Sequence, residues 1–171
     1  MKSKHLSLMI FIPFLILVLE TIQCTRISST SKVNARAELV GCDLTGAALG
    51  GAILRYANFN GAILRDTYFR EANLSGAIFY TAILSGSDLS SANLYGSDLR
   101  FADLSYCDLS GTDLTEADLS GANIIGANFN NAIMKNTNLS SIVWQNVICP
   151  DGTSSNDNGF TCEKNLKPKN K

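Results

Sequence analysis

The chain has 171 residues, enough for one domain, and a formal net charge of −1. Its 46% hydrophobic content sets it apart from disordered chains, and the near-neutral balance excludes the strongly basic surface of a general nucleic-acid binder. The single histidine, His5, stands in an N-terminal segment expected to be removed, which leaves the mature chain without the usual acid–base and zinc ligand.

Residues 1–24 read as an export signal. Lys2 and Lys4 supply the positive start, residues 6–19 are apolar apart from Ser7 and Pro13, and Glu20 ends the run. The stretch is short for a bilayer span, which needs roughly 20 apolar residues. Cys24 stands where a lipoprotein would be acylated, but Gln23 occupies a place where that signal wants a small residue. A membrane therefore enters only if Cys24 carries a lipid. Residues 25–36 are rich in Ser and Thr, lack periodicity and read as a flexible leader.

From residue 37 to residue 146 the chain repeats every five residues. Ala72-Asn73-Leu74-Ser75-Gly76 and Ala92-Asn93-Leu94-Tyr95-Gly96 are typical blocks. Every block centre, from Leu39 to Trp144, is large and apolar. Two positions earlier stands Ala, Ser, Thr or Cys, except for Ile142 in the last block. A 3.6-residue helix cannot keep such a repeat on one face, and a plain strand has period two. A short unbroken period means a solenoid.

The A-[D/N]-L-x-x pattern resembles the pentapeptide-repeat family, over all of residues 37–146. The resemblance implies an all-β fold, a right-handed quadrilateral β-helix of about five and a half coils, with four blocks to a coil. Small and central residues would point inward, and residues twenty apart would stack. One wall then carries Leu39, Phe59, Phe79, Leu99, Leu119 and Leu139, and the opposite wall Leu49, Phe69, Leu89, Leu109 and Phe129. Phenylalanines at staggered heights on opposed walls would ease crowding. At about 4.8 Å per rung the rod is on the order of 25 Å long. Its open ends invite end-to-end association, so a monomer or an end-to-end dimer is expected. Trp144 would close the last rung.

The repeat is expected to stop after Asn146. Cys149-Pro150-Asp151-Gly152-Thr153 is turn chemistry, followed by Thr161-Cys162 and a lysine-rich end. This tail, residues 147–171, is similar to the closing segment of exported family members, and the resemblance implies a Cys149–Cys162 disulfide. Cys42 and Cys107 fall at small positions just over three coils apart, too far to pair, and read as buried thiols. The acids of residues 151–157 do not match a calcium loop.

No catalytic, cofactor-binding or metal constellation is recognisable, so no enzyme activity and no cofactor are expected. Asp88, Asp98, Asp103, Asp108, Asp113 and Asp118 precede block centres, where the repeat itself wants a solvent-tolerant residue. Specificity would then lie outside. Tyr56, Tyr68, Tyr80, Tyr95, Phe101 and Tyr106 take outward or corner positions, and Arg100 should stack on Tyr80 in a cation–π contact. Surface aromatics favour a protein or glycan contact, and the expected partner is another protein, with no nucleic acid. The expectation is an exported scaffold or protein-binding module of a bacterial envelope or exterior: periplasmic, on the cell surface or secreted. The alternative comes from the same resemblance, since some cytoplasmic members mimic DNA and protect gyrase. The repeat region carries eleven acids against Arg55, Arg65, Arg70, Arg100 and Lys135, a weak imitation of DNA charge.

Overall fold

The computed structural model describes residues 36–157 together with Gly159, Thr161 and Cys162. The expected signal segment with Cys24, the leader apart from Arg36, and the lysine-rich end lie outside the described residues.

Each coil takes twenty residues. Parallel bridges join Glu38 to Asn58, Asn58 to Ile78, Ile78 to Asp98 and Asp98 to Asp118, and the same spacing runs up the other three faces. We number the faces by their central residues. The first carries Leu39, Phe59, Phe79, Leu99, Leu119 and Leu139, and the second Leu44, Leu64, Leu84, Leu104, Ile124 and Trp144. The third carries Leu49, Phe69, Leu89, Leu109 and Phe129, and the fourth Leu54, Leu74, Leu94, Leu114 and Met134. Nearly all are buried, many completely. The alanines of the small positions are buried beside them. A bulkier side chain there would overfill a densely packed interior.

The phenylalanines sit as crowding demands. Phe59 and Phe79 stack in parallel at 4.8 Å between centroids, the spacing of adjacent rungs. Phe69, half a coil from each on the opposite wall, meets both edge-on at 5.9 and 6.3 Å. Edge-to-face contact is the arrangement that the ring quadrupole favours.

Backbone hydrogen bonds explain the five-residue unit. In the block centred on Phe59, the Phe59 N–H donates to Ile78 up the rod and the Asn58 N–H to Ala37 down it. The corner residue Gly61 donates to Tyr80, and Ala62 closes a turn by donating to the Phe59 carbonyl. The backbone thus satisfies four of the five N–H groups. The fifth, just after the centre, is served by the side chain just before it. Asn58 Oδ1 accepts from the Asn60 N–H, Asp88 Oδ1 from Ser90, and Asp118 Oδ1 from Ser120. An Asp or Asn at that place completes the accounting of backbone donors.

Every corner from Arg36 to Asn146 has left-handed φ, at thirteen non-glycine and ten glycine residues. A non-glycine residue in this region costs about 1 kcal/mol. The turn bond and the stacked rungs hold it there.

The ladder departs from expectation at its top. Ile142 is only half-buried at the inward small position, and no bridge joins Asn123 to Val143. Ile142 is one methylene group larger than Val147, the largest residue fully buried at a small position, and the backbone bows out of register there. The repeat then resumes for one more block beyond Asn146. Val147 takes the small position and Cys149 the central one, both fully buried, and Ile148 bridges Asn128. At Pro150 the chain turns back, and Ser154 pairs antiparallel with Ile148. The Cys149 N–H donates to Thr153, and the Ser155 N–H to Val147. Cys149 and Cys162 are joined, with Cα atoms 5.5 Å apart. Trp144 is buried and packs against Phe129 at 6.5 Å between centroids.

One expectation is corrected. Cys42 is not a thiol: it is disulfide-bonded. It sits in the lowest described coil. Cys107, in mid-rod, is free and buried.

Candidate interaction surface

The corners are where side chains leave the repeat. A left-handed corner projects its side chain along the rod, over the corner one coil above. Phe101 lies across Gly121, so that a β-carbon on Gly121 would fall 2.6 Å from the ring. Tyr106 covers Gly126 and Tyr56 covers Gly76 in the same way. Only glycine leaves room for the ring at these three positions. Phe101 and Tyr106 nevertheless stay 59% and 69% exposed.

Around Phe101 the parts are braced. Asp98, just before its block centre, accepts from the Arg100 backbone N–H. It also grips the Arg100 guanidinium with both carboxylate oxygens, at 2.8 and 2.7 Å. That fork holds Arg100 over the Tyr80 ring, 5.4 Å from its centroid. Tyr80 meets Phe101 edge-on at 5.8 Å. The hydrogen bond from Arg100 holds the Asp98 carboxyl below the ordinary carboxylate range and pushes the guanidinium further up. The result is a preset corner: an exposed ring, a fixed cation and a half-buried tyrosine.

The other expected contact residues are dispersed. Tyr68 is exposed in the middle of the third face, and Tyr56 and Tyr95 stand at the corner between the fourth and first faces. Arg55 lies over Tyr56 at 5.5 Å. The Tyr95 hydroxyl donates to Glu116, which raises the tyrosine's pKa. The structure therefore joins Tyr80, Arg100 and Phe101 and separates them from Tyr56, Tyr68 and Tyr95. Tyr106 stands one corner away from Phe101, across the second face. The brace from Asp98 was not anticipated. Its signal is an Asp directly before a block centre with Arg directly after it.

The acids from Asp88 to Asp118 are spread around the rod. Asp88 and Asp108 stack on the third face and Asp98 and Asp118 on the first, while Asp103 is on the second and Asp113 on the fourth. Each caps a backbone N–H two residues on. They serve the fold first, and no face gathers them. Cys107 adds no nucleophile, because burial pushes its thiol up to about 12 and its Sγ donates to the Leu84 carbonyl. No group of metal-ligating side chains occurs among the described residues, and no helix among them is long and apolar enough to cross a membrane.

The family profile described as pentapeptide repeats matches the chain in eight copies between residues 35 and 140. The chain belongs to the pentapeptide-repeat family, and its fold is the right-handed quadrilateral β-helix of that family. Among solved structures it is similar to the pentapeptide repeat protein Rfr23 from the cyanobacterium Cyanothece 51142. That match has 24% identity, 74% of this chain, 92% of the other and a TM-score of 0.38. It is also similar to HetL, a pentapeptide repeat protein involved in heterocyst differentiation regulation in Nostoc sp. strain PCC 7120. There the identity is 28%, over 71% of this chain and 74% of HetL, with a TM-score of 0.27. A pentapeptide repeat protein from the Arabidopsis thaliana thylakoid lumen is 30% identical over 79% of this chain and 81% of its own, with a TM-score of 0.25. No curated protein matches the chain.

Proposed function

We propose that this is an exported, non-enzymatic scaffold that binds another protein through the corner carrying Tyr80, Arg100 and Phe101. The observation that carries the reading is the brace itself. A fork from Asp98 and the face of Tyr80 fix Arg100 beside a ring that is more than half exposed. Preset aromatic and arginine groups are the usual anchors of protein contacts, because little side-chain entropy is lost when they bind. The export signal read in residues 1–24 and the disulfide between Cys149 and Cys162 support a destination outside the reducing cytoplasm.

A DNA-mimicking inhibitor of a topoisomerase is the less favoured reading. A duplex presents paired rows of charge along one side, whereas the acids here circle all four faces.

The test combines fractionation with site-directed photo-crosslinking in cells that make the full chain. A photoreactive residue at Phe101 or Tyr106 should give a discrete adduct in the extracytoplasmic fraction. The same residue at Lys135, on another corner, should give none. A chain retained in the cytoplasm, or equal labelling from all three positions, would refute the proposal.

A further inference from the structure

Asp103 stands in the middle of the second face, between two exposed rings. Phe101 marks the corner before it and Tyr106 the corner after it. Both rings reach up the rod and rest on glycines of the next coil, Gly121 and Gly126. They bracket one block of that coil, and the exposed Asn123 lies between them. Asn123 is itself fixed: its Oδ1 accepts from the Ile125 N–H, and its Nδ2 donates to Asp103 Oδ1 at 3.0 Å.

The Asp103 carboxylate is held from one side. Its Oδ1 also accepts from the Ser105 N–H and hydroxyl, at 3.1 and 2.7 Å, so three donors converge on one oxygen. Oδ2 has no hydrogen-bond partner among the described residues. One block earlier the same parts are complete. Asp98 precedes its block centre as Asp103 does, and Arg100, just after that centre, fills its fork and covers the Tyr80 ring. In the block of Asp103 the corresponding place holds Ser105. Arg65, the one cation of the second face among the described residues, lies two rungs lower and donates to Ser85.

We propose that Asp103, Phe101 and Tyr106 receive an arginine side chain of the bound protein, which supplies from outside what Arg100 supplies to Asp98. The inference rests on the protein-binding reading and names the partner's chemistry. The spare capacity here is an acceptor, Oδ2, while the Ser105 hydroxyl is already spent as a donor. A guanidinium carries only donors and matches that; a sugar hydroxyl asks for donors as well. It is also flat and weakly hydrated, so it stacks on rings at less cost than an ammonium. The eleven acids of the repeat region against five bases draw a basic segment toward the rod.

Nuclear magnetic resonance titration of the purified exported protein with a blocked Gly-Arg-Gly tripeptide tests the site. The peptide should move the Asn123 side-chain amide and the backbone amides of residues 103–106. Versions with lysine or with uncharged citrulline in place of arginine should bind more weakly, citrulline the weakest. Asp103→Asn should weaken the arginine peptide about tenfold or more, since it removes a charge-assisted hydrogen bond. The variant should fold, because Asn93, Asn123 and Asn128 hold the same place and cap the same N–H. Asp113→Asn, on the fourth face, should change nothing. No movement with the arginine peptide, equal movement with citrulline, an unaltered affinity in Asp103→Asn, or movement with chitotriose alone would overturn the proposal. Crosslinking in cells separates it from the reading beneath it. With an aromatic photoreactive residue at Tyr106, adding Asp103→Asn should reduce the adduct several-fold. An undiminished adduct keeps the protein partner and rejects the arginine. If the chain without Asp103→Asn gives no adduct, the protein-binding reading fails, and the peptide titration judges the site separately.

Discussion

Leu89 lies inside the rod with no exposed surface, and Phe101 stands at a corner with more than half of its surface in water. Both belong to the same repeat, and both are held by the same rungs. Inside, every block is asked for the same two shapes, a slim residue and a bulky one, because stacked coils share one narrow space. At the corners the shared demand is on the backbone: left-handed φ at each, whichever residue stands there. The interior therefore fixes residue type and the corner fixes conformation. What varies along the rod, and so what is able to carry recognition, is the set of side chains at the corners.

The sharpest way to break this comparison is a charge inside. Leu89→Asp places a carboxylate where no water or partner reaches it, in contact with the centres of the coils above and below. The cost of several kcal/mol exceeds the coupling between adjacent coils, and the chain should fail to fold. Circular dichroism and a denaturant titration measure it; a variant with native spectrum and unchanged midpoint would remove the packed-interior account.

Cys162→Ser comes next. The bond spans thirteen residues and holds the returning chain over the top coil. Its loss should cost about 3 kcal/mol in the chain-entropy view. The fall in unfolding midpoint should be smaller than that of the wild type under reducing conditions, because reduction also opens the disulfide of Cys42.

Corner glycines sharpen the comparison further. Gly96 and Gly121 both have left-handed φ, so alanine at either should cost about 1 kcal/mol. Nothing lies within 4 Å of a β-carbon at Gly96, whereas at Gly121 it meets the Phe101 ring. Gly121→Ala should therefore lose about a further 1 kcal/mol as the ring swings out. Adding Phe101→Ser should reduce the penalty of Gly121→Ala to that of Gly96→Ala. A penalty unchanged by the second substitution would show that the ring does not rest on the glycine.

Much of the interior was legible because its rule is local. The central residues name themselves by size, and twenty-residue arithmetic places Phe69 between Phe59 and Phe79 and Arg100 over Tyr80. What escaped depends on atoms rather than on spacing. The frequency of Asp and Asn before the centre is visible in the sequence, but its cause, one N–H per block without a backbone acceptor, needs the hydrogen-bond pattern. Ile142 stood out as an exception, yet only the backbone shows that the ladder bows there and recovers at Ile148. Cys149 looked like tail chemistry because a cysteine is small for a central position. The disulfide of Cys42 was missed because a cysteine at a small position of the repeat reads as a buried thiol. At the corner, Arg100 and Tyr80 were readable from their spacing, while the fork from Asp98 was not.

The smallest expected effect lies in the slim position, where two serines look alike and should behave oppositely. Ser87 is buried beside Thr67 and Cys107. Its hydroxyl donates to the Leu64 carbonyl at 2.6 Å and accepts from the Thr67 N–H at 3.2 Å. Ser97 is equally buried, between alanines at Ala77 and Ala117, and its hydroxyl alone among the buried polar side-chain atoms described has no hydrogen-bond partner. Both positions accept alanine by shape, since alanine fills most of the slim places of the rod. Ser87→Ala removes a satisfied hydrogen bond and should destabilise by about 1 kcal/mol. Ser97→Ala removes a desolvated hydroxyl that bonds to nothing and should stabilise by about 1 kcal/mol. Paired urea titrations measure both. If both substitutions shift the midpoint in the same direction, residue size alone governs the slim position and hydrogen bonding contributes nothing there.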